Sequence, residues 1–131
     1  EEKIMQHTAT ISGEMQRHLD ECINLCLECS KSCEQCGAEC NRMDMAGMAR
    51  CIELCRDCAD ICLLDARLMS RNSQFHFQTC AVCADVCEAC AVECERMAES
   101  HSVATADLMR RCAEACRRCA EACRQMATMA V

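Results

Sequence analysis

The cysteines of this chain fall in four blocks, and within every block they are spaced alternately by four and three residues. The first block is Cys22, Cys26, Cys29, Cys33, Cys36 and Cys40; the second is Cys51, Cys55, Cys58 and Cys62. The third is Cys80, Cys83, Cys87, Cys90 and Cys94; the fourth is Cys112, Cys116, Cys119 and Cys123. Alternating steps of four and three make the a/d seam of a heptad, the stripe that one helix of a bundle turns toward its neighbours. A strand would need steps of two. The pattern therefore predicts four helices with a thiol-lined inner face and excludes β structure for these blocks.

Residues suited to turns separate the blocks. Asp44 to Gly47 offers a turn with Asp44 as N-cap, Asn72 and Ser73 offer a cap for the third helix, and Ser102 or Thr105 caps the fourth after Ser100. Helices are expected at 14–42, 47–71, 73–99 and 103–129. The links are short, so consecutive helices must run antiparallel. The fold expected is an all-α, up-down-up-down four-helix bundle, one domain over residues 1–131. Gly13 breaks off a short N-terminal segment, 1–13, in which residues 4–11 are expected to form a capping helix. The absence of proline, tryptophan and tyrosine agrees with a helical chain.

Antiparallel stacking sorts the seams into layers. Cys40, Cys51, Cys94 and Cys112 form one, followed by Cys36, Cys55, Cys90 and Cys116. Cys33, Cys58, Cys87 and Cys119 come next, then Cys29, Cys62, Cys83 and Cys123. A fifth layer mixes Cys26, Asp65, Cys80 and Met126, and a sixth holds Cys22, Met69, His76 and Ala130. At about 1.5 Å per residue the thiol-lined tube is about 27 Å long. One step beyond the Cys40 layer lie Met43, Met48, Met97 and Met109, one per helix, as a thioether ring at one mouth. The other end is expected to be an apolar plug of Ile11, Met15, Leu19, Leu64, Leu68, Phe75 and Phe77.

Nineteen cysteines in 131 residues suit either a disulfide scaffold or a metal sink. Disulfide scaffolds have turn-rich sequence between their cysteines, whereas this chain has three glycines, no proline and continuous helical periodicity. Leucine would fill a bundle core with more apolar area, so nineteen thiols are not ordinary packing. Thiolates suit Cu(I), Zn²⁺ and iron–sulfur clusters. Tetrahedral zinc layers would each carry −2, and about four of them stacked in a dry core would need counter-ions that the seam lacks. Cu(I) accepts two or three bridging thiolates, and one ion per thiolate leaves the core neutral. All nineteen cysteines are therefore candidate ligands for many Cu(I) ions.

His76, Asp65 and Met126 on the seam, with Met43, Met48, Met97 and Met109 at the mouth, are further candidate ligands. His76 reads equally as a histidine capping a helix start, and the methionines equally as packing. A carboxylate at Asp65 needs a partner or water. His7, His18 and His101 read as surface residues. No catalytic constellation appears: no Glu-x-x-His of the di-iron bundles, no nucleotide loop, no protease motif. The alternatives are a zinc or general soft-metal buffer, or a thiol redox buffer or oxidoreductase, which would need an exposed cysteine of low pKa. A net charge of −7 argues against nucleic acid, and no apolar run is long enough for a membrane span. The chain opens Glu1-Glu2-Lys3 without an apolar signal segment, which leaves the compartment, and a removed export signal, open.

The blocks Cys22-Ile23-Asn24-Leu25-Cys26-Leu27-Glu28-Cys29 and Cys112-Ala113-Glu114-Ala115-Cys116-Arg117-Arg118-Cys119 resemble those of the bacterial copper storage proteins. The resemblance runs over about residues 14–130. It implies a four-helix bundle that stores Cu(I) on inward cysteines, and the high cysteine count resembles the family's cytosolic branch, which implies a cytoplasmic protein. It also implies a homotetramer, with Ile52, Leu54, Ile61, Leu63, Leu25 and Leu27 available for core or interface. The partners implied are copper donors and acceptors, a chaperone or a chelator.

Overall fold

A computed structural model describes residues 12–43 and 47–129. It contains four helices: α1 (Gly13–Met43), α2 (Ala49–Ser70), α3 (His76–Ala98) and α4 (Val103–Thr128). The expected helix over 4–11, the Asp44 cap, Ile11, His7 and Ala130 lie outside the described residues.

The boundaries follow from local chemistry. Ser12 Oγ accepts the Met15 N–H at 3.0 Å and so satisfies a donor that the first turn of α1 leaves over. Gly47 has φ +87°, a left-handed conformation that glycine adopts at little cost, and α2 starts at Ala49 rather than 47. The third helix starts at His76, three residues later than expected. Asn72 takes φ +51°, and Ser73 Oγ accepts the Phe75 N–H at 3.2 Å, so Asn72 and Ser73 shape a turn and do not cap a helix. Ser102 does sit at the N-cap of α4, in extended backbone; its carbonyl accepts the Ala106 N–H at 2.8 Å.

The helices pack as a closed ring, α1 on α2, α2 on α3, α3 on α4 and α4 on α1, with no diagonal pairing among the described residues. This is the expected antiparallel bundle. Two devices bring the backbones together. Ala84, Ala91 and Ala98 on α3 face the interior beside Ala106, Ala113 and Ala120 on α4, each series at a heptad interval and each residue buried. Small side chains at such positions let helix axes approach closely. Between α1 and α2 the approach is at Gly37, where an added Cβ would lie 3.3 Å from Cys55 Cβ. Ser30 Oγ also donates across that pair to the Ala59 carbonyl at 2.9 Å.

Outside the core, α4 is tied to its neighbours by exposed ion pairs. Arg117 meets Glu95 at 2.6 Å, Arg118 meets Glu28 at 3.0 Å, and Arg124 meets Asp85 at 3.3 Å and also Glu88. Such solvent-screened pairs contribute little each, so they tune the register of α4 more than they hold the bundle. Ile52, Leu54 and Ile61 pack against the core, whereas Leu27 and Leu63 remain exposed.

Gly37 provides a direct check on this packing. Gly37→Val places a branched side chain against Cys55 and should lower the stability of the reduced apo protein by about 1–3 kcal/mol. Denaturant unfolding followed by circular dichroism measures it; a variant as stable as the parent would show that the α1–α2 approach is not limiting.

Candidate metal centre

Every one of the nineteen cysteines points inward as a free thiol with no more than 1% of its surface exposed. Most neighbouring sulfurs sit 3.5–4.0 Å apart, and quartets within 4.8 Å join them into a column through all four helices. Between α2 and α3 the pairing is as expected from the stacking of the seams. Cys51 and Cys94 are 4.0 Å apart, Cys55 and Cys90 3.8 Å, Cys58 and Cys87 3.5 Å, and Cys62 and Cys83 3.7 Å.

The first helix departs from the flat layers. Cys33 lies 3.5 Å from Cys116 and 3.7 Å from Cys112, where Cys119 was expected. Cys29 meets Cys116 at 3.7 Å, Cys26 meets Cys119 at 3.5 Å, and Cys22 meets Cys123 at 3.6 Å. Relative to α4, α1 is displaced by between one and two seam steps. Knobs of one helix settle into holes between side chains of the next, so four sulfurs at one height are not the best packing. The stagger produces overlapping quartets with sulfurs within 4.8 Å of one another: Cys36, Cys51, Cys55 and Cys94; Cys33, Cys90, Cys112 and Cys116; Cys29, Cys33, Cys58 and Cys116. Quartets that share members are suited to bridging thiolates and not to isolated tetrahedra.

The two ends differ from each other and, in one case, from expectation. Met48, Met97 and Met109 are buried and Met43 is half-buried, all at the end formed by the C-termini of α1 and α3 and the N-termini of α2 and α4. Thr105 Oγ1 lies 3.9 Å from Met43 Sδ, and Arg96 Nη2 lies 3.5 Å from Met97 Sδ. His101, half-buried in the adjacent link, places Nδ1 2.5 Å from the Met97 carbonyl oxygen. The opposite end is not an apolar plug. Leu64 is 44% exposed and Phe75 57% exposed, because both fall off the heptad seam, while Leu19 alone of the expected leucines is fully buried. Asp65, His76, Met69 and Met126 fill that end instead, all buried. Phe77 packs against the His76 ring at 4.2 Å.

Asp65 is wholly buried and is served by thiols. Oδ1 accepts from Cys80 at 3.3 Å; Oδ2 accepts from Cys123 at 3.5 Å and faces Cys26 at 3.8 Å. Cys80 also meets Met69 Sδ at 3.6 Å. Sequence reasoning missed Glu93, buried beside the seam, where it accepts from Arg96 Nε at 2.9 Å and Nη2 at 2.7 Å with Arg50 at 3.9 Å. It also missed the two alanine series. Their seven-residue recurrence is visible in the sequence; the burial of Glu93 has no such signal.

The sequence profile of the copper storage proteins matches residues 15–128. The chain belongs to the copper storage protein family. It is 40% identical over 99 residues to a cysteine-rich protein of Bacillus subtilis, YhjQ, spanning 75% of this chain and 92% of that one. Among solved structures, Cu(I)-bound copper storage protein 3 of Bacillus subtilis superposes with a TM-score of 0.74 at 40% identity, over 84% of this chain and 98% of that one. A cytosolic copper storage protein of Streptomyces lividans carrying five coppers gives 0.79 at 33% identity, over 89% and 98%.

In this copper storage protein the thiols do not share one acidity. Cys26 is pushed up by its contacts with Cys119, Cys123 and Cys22 and by burial. Cys29 is held down by hydrogen bonds from Cys116, Cys119 and Cys33. The proton is therefore released more readily from some sulfurs of the column than from others. Asp65 is raised from 3.8 to about 7, first by burial and then by the Cys83 thiolate, against hydrogen bonds from Cys80 and Cys123 that lower it. A carboxyl raised on folding holds its proton in the native state after the unfolded chain has lost it. Its stabilising contribution is complete below the unfolded value and disappears as pH rises from about 4 to about 7. The reduced apo protein should therefore lose stability over that interval, and Asp65→Asn should remove this component. Unfolding midpoints of both proteins between pH 4 and 8 measure the difference, and parallel profiles would refute the assignment.

Proposed function

We propose that the protein stores Cu(I), with the nineteen inward thiolates as its ligands. The observation that carries this reading is a continuous sulfur column in an interior without a positive charge. Among the described residues the buried polar side chains are Asp65, His76 and Glu93, and no lysine or arginine joins them. Thiolates packed in a dry core need cations, and an uncompensated buried charge is expensive. One Cu(I) per thiolate leaves the array neutral, whereas zinc in Cys₄ sites leaves −2 at each. The copper-loaded relatives support the same choice.

Storage needs no turnover, and no residue is assigned a catalytic role. A redox role is disfavoured because reactive cysteines are partly exposed, and none of these is. No described helix is long and apolar enough to cross a membrane. A cytoplasmic location is the reading that accords with the cytosolic Streptomyces relative. A homotetramer is the assembly proposed, with Leu27, Leu63, Val82 and Val92 among the exposed apolar residues it would cover. Partners are Cu(I) donors and acceptors, a chaperone or a small chelator; the acidic surface is unsuited to nucleic acid.

Titration of the reduced protein with Cu(I) against a competing chelator should show tight uptake of well over about ten equivalents, by the one-ion-per-thiolate balance. Saturation at about four equivalents would sink this reading and favour tetrahedral sites.

Ion entry is assigned to the Met43–Met48–Met97–Met109 end. Neutral thioethers exchange a soft ion without trapping it. Replacing all four with leucine roughly conserves volume and should slow uptake and release at unchanged final capacity. Stopped-flow transfer from a coloured Cu(I) chelate reads the rate, and identical rates in the variant would reduce the ring to packing.

A further inference from the structure

Glu93 is the one buried carboxylate at the methionine end among the described residues, with 4% of its surface exposed. Burying an ionised carboxylate is costly unless hydrogen bonds and an opposite charge accompany it. Arg96, three residues on in α3, supplies both: Nε donates to Oε1 at 2.9 Å and Nη2 to Oε2 at 2.7 Å. This two-pronged match of guanidinium to carboxylate fixes orientation as well as charge. Arg50 of α2 stays 3.9 Å from Oε1. An ion pair that tied α2 to α3 would spend its short bonds between the helices. Glu93 spends both within its own helix, so what it fixes is the direction of Arg96.

That direction brings Arg96 onto Met97. Nη2 carries two hydrogens; with one on Glu93 Oε2, the other serves Met97 Sδ at 3.5 Å. The backbone of Met97 is held as well. Its carbonyl oxygen accepts the Ser100 N–H at 3.3 Å and the His101 Nδ1–H at 2.5 Å. Methionine has three rotatable bonds and, as core filler, settles into many shapes. Here a buried methionine is fixed at its backbone and at its sulfur. A thioether sulfur has two lone pairs, so the one engaged by Arg96 leaves the other for a soft ion.

We infer that Arg96, oriented by Glu93, is a positioning residue for ion transfer: it holds the Met97 thioether ready to receive Cu(I) at the mouth and hand it to the Cys51–Cys94 pair. The inference rests on entry at the methionine end. Cys94 lies one seam step inward of Met97 on the same helix, and its sulfur is 4.0 Å from that of Cys51. A flexible ligand must be ordered each time an ion arrives, whereas a held one is already in place. The guanidinium itself touches no ion; it acts through the sulfur.

A double-mutant cycle on the full-length reduced protein tests this, read by stopped-flow transfer from a coloured Cu(I) chelate. Arg96→Leu should slow uptake by about fivefold, a size that coupled residues in contact reach. In a Met97→Leu background the same substitution should change the rate by less than about twofold. Looser packing or altered charge at the mouth would act in both backgrounds alike. Arg96→Lys keeps the charge, but a single nitrogen cannot grip both Glu93 oxygens and the sulfur, so it should be as slow as Arg96→Leu. Glu93→Gln should also slow uptake, because it breaks the two-pronged grip. With Met97→Leu itself slow, equal effects of Arg96→Leu in the two backgrounds, or parental rates in Arg96→Lys or Glu93→Gln, overturn the positioning role and leave entry at the methionines standing. Met97→Leu as fast as the parent overturns both. Cu(I) capacity is titrated on the parent preparation, and a low value there counts against storage.

Discussion

Nineteen thiols share one interior from which, among the described residues, lysine and arginine side chains are absent, and this constraint organises the molecule. A thiol can be buried as a small, weakly polar group at little cost. A thiolate cannot, unless a cation accompanies it. The core is thus tolerable empty only with most sulfurs protonated, and it becomes anionic only as metal replaces protons. The uneven acidities of Cys26 and Cys29 express the same condition locally: hydrogen bonds from neighbouring thiols raise one and lower the other. Storage capacity, preference for a monovalent ion and the absence of exposed reactive cysteine all stem from it.

A core of small side chains must also be closed by bringing helices together, since cysteine fills less space than leucine. The buried alanines of α3 and α4 and the single glycine at the α1–α2 contact do this. Sulfur separations of 3.5–4.0 Å are the outcome. Wider axes would leave the thiols too far apart to share an ion, and larger residues at Ala91, Ala113 or Gly37 would hold the axes apart. The elements that look like filler between the cysteines thus set the distances on which ion sharing depends.

The ends of the column show chemistry changing over a few residues. At one, thioethers touch a guanidinium and a hydroxyl. At the other, a carboxylate sits among thiols beside a buried histidine. Soft neutral donors and a hard anionic donor at opposite poles give the bundle a polarity that a uniform thiol column would lack, although both poles derive from the same heptad positions.

Reading by spacing alone reached the four helices, the antiparallel order, the inward direction of every cysteine and the soft-metal character of the core. Each depends only on helical periodicity and on short links, which are local. The α2–α3 pairing was also legible, because a tight turn fixes the offset between its two helices. The offset of α1 against α4 was not: no link joins these helices directly, and knobs-into-holes packing across the ring chose a displacement of between one and two seam steps. The late start of α3 came from the left-handed Asn72, whose conformation the sequence permits but does not require. Leu64 and Phe75 were read as a plug from hydrophobicity, yet they lie off the seam and face outward. Asp65 was visible as an anomaly, and stacking the seams already placed it with Cys26 and Cys80; only the packing of α4 brought Cys123 to it. The sequence by itself thus determined which face of each helix is thiol, since that is a matter of 3.6 residues per turn. The tertiary structure alone decided which thiols meet between α1 and α4, since that depends on how four surfaces interlock.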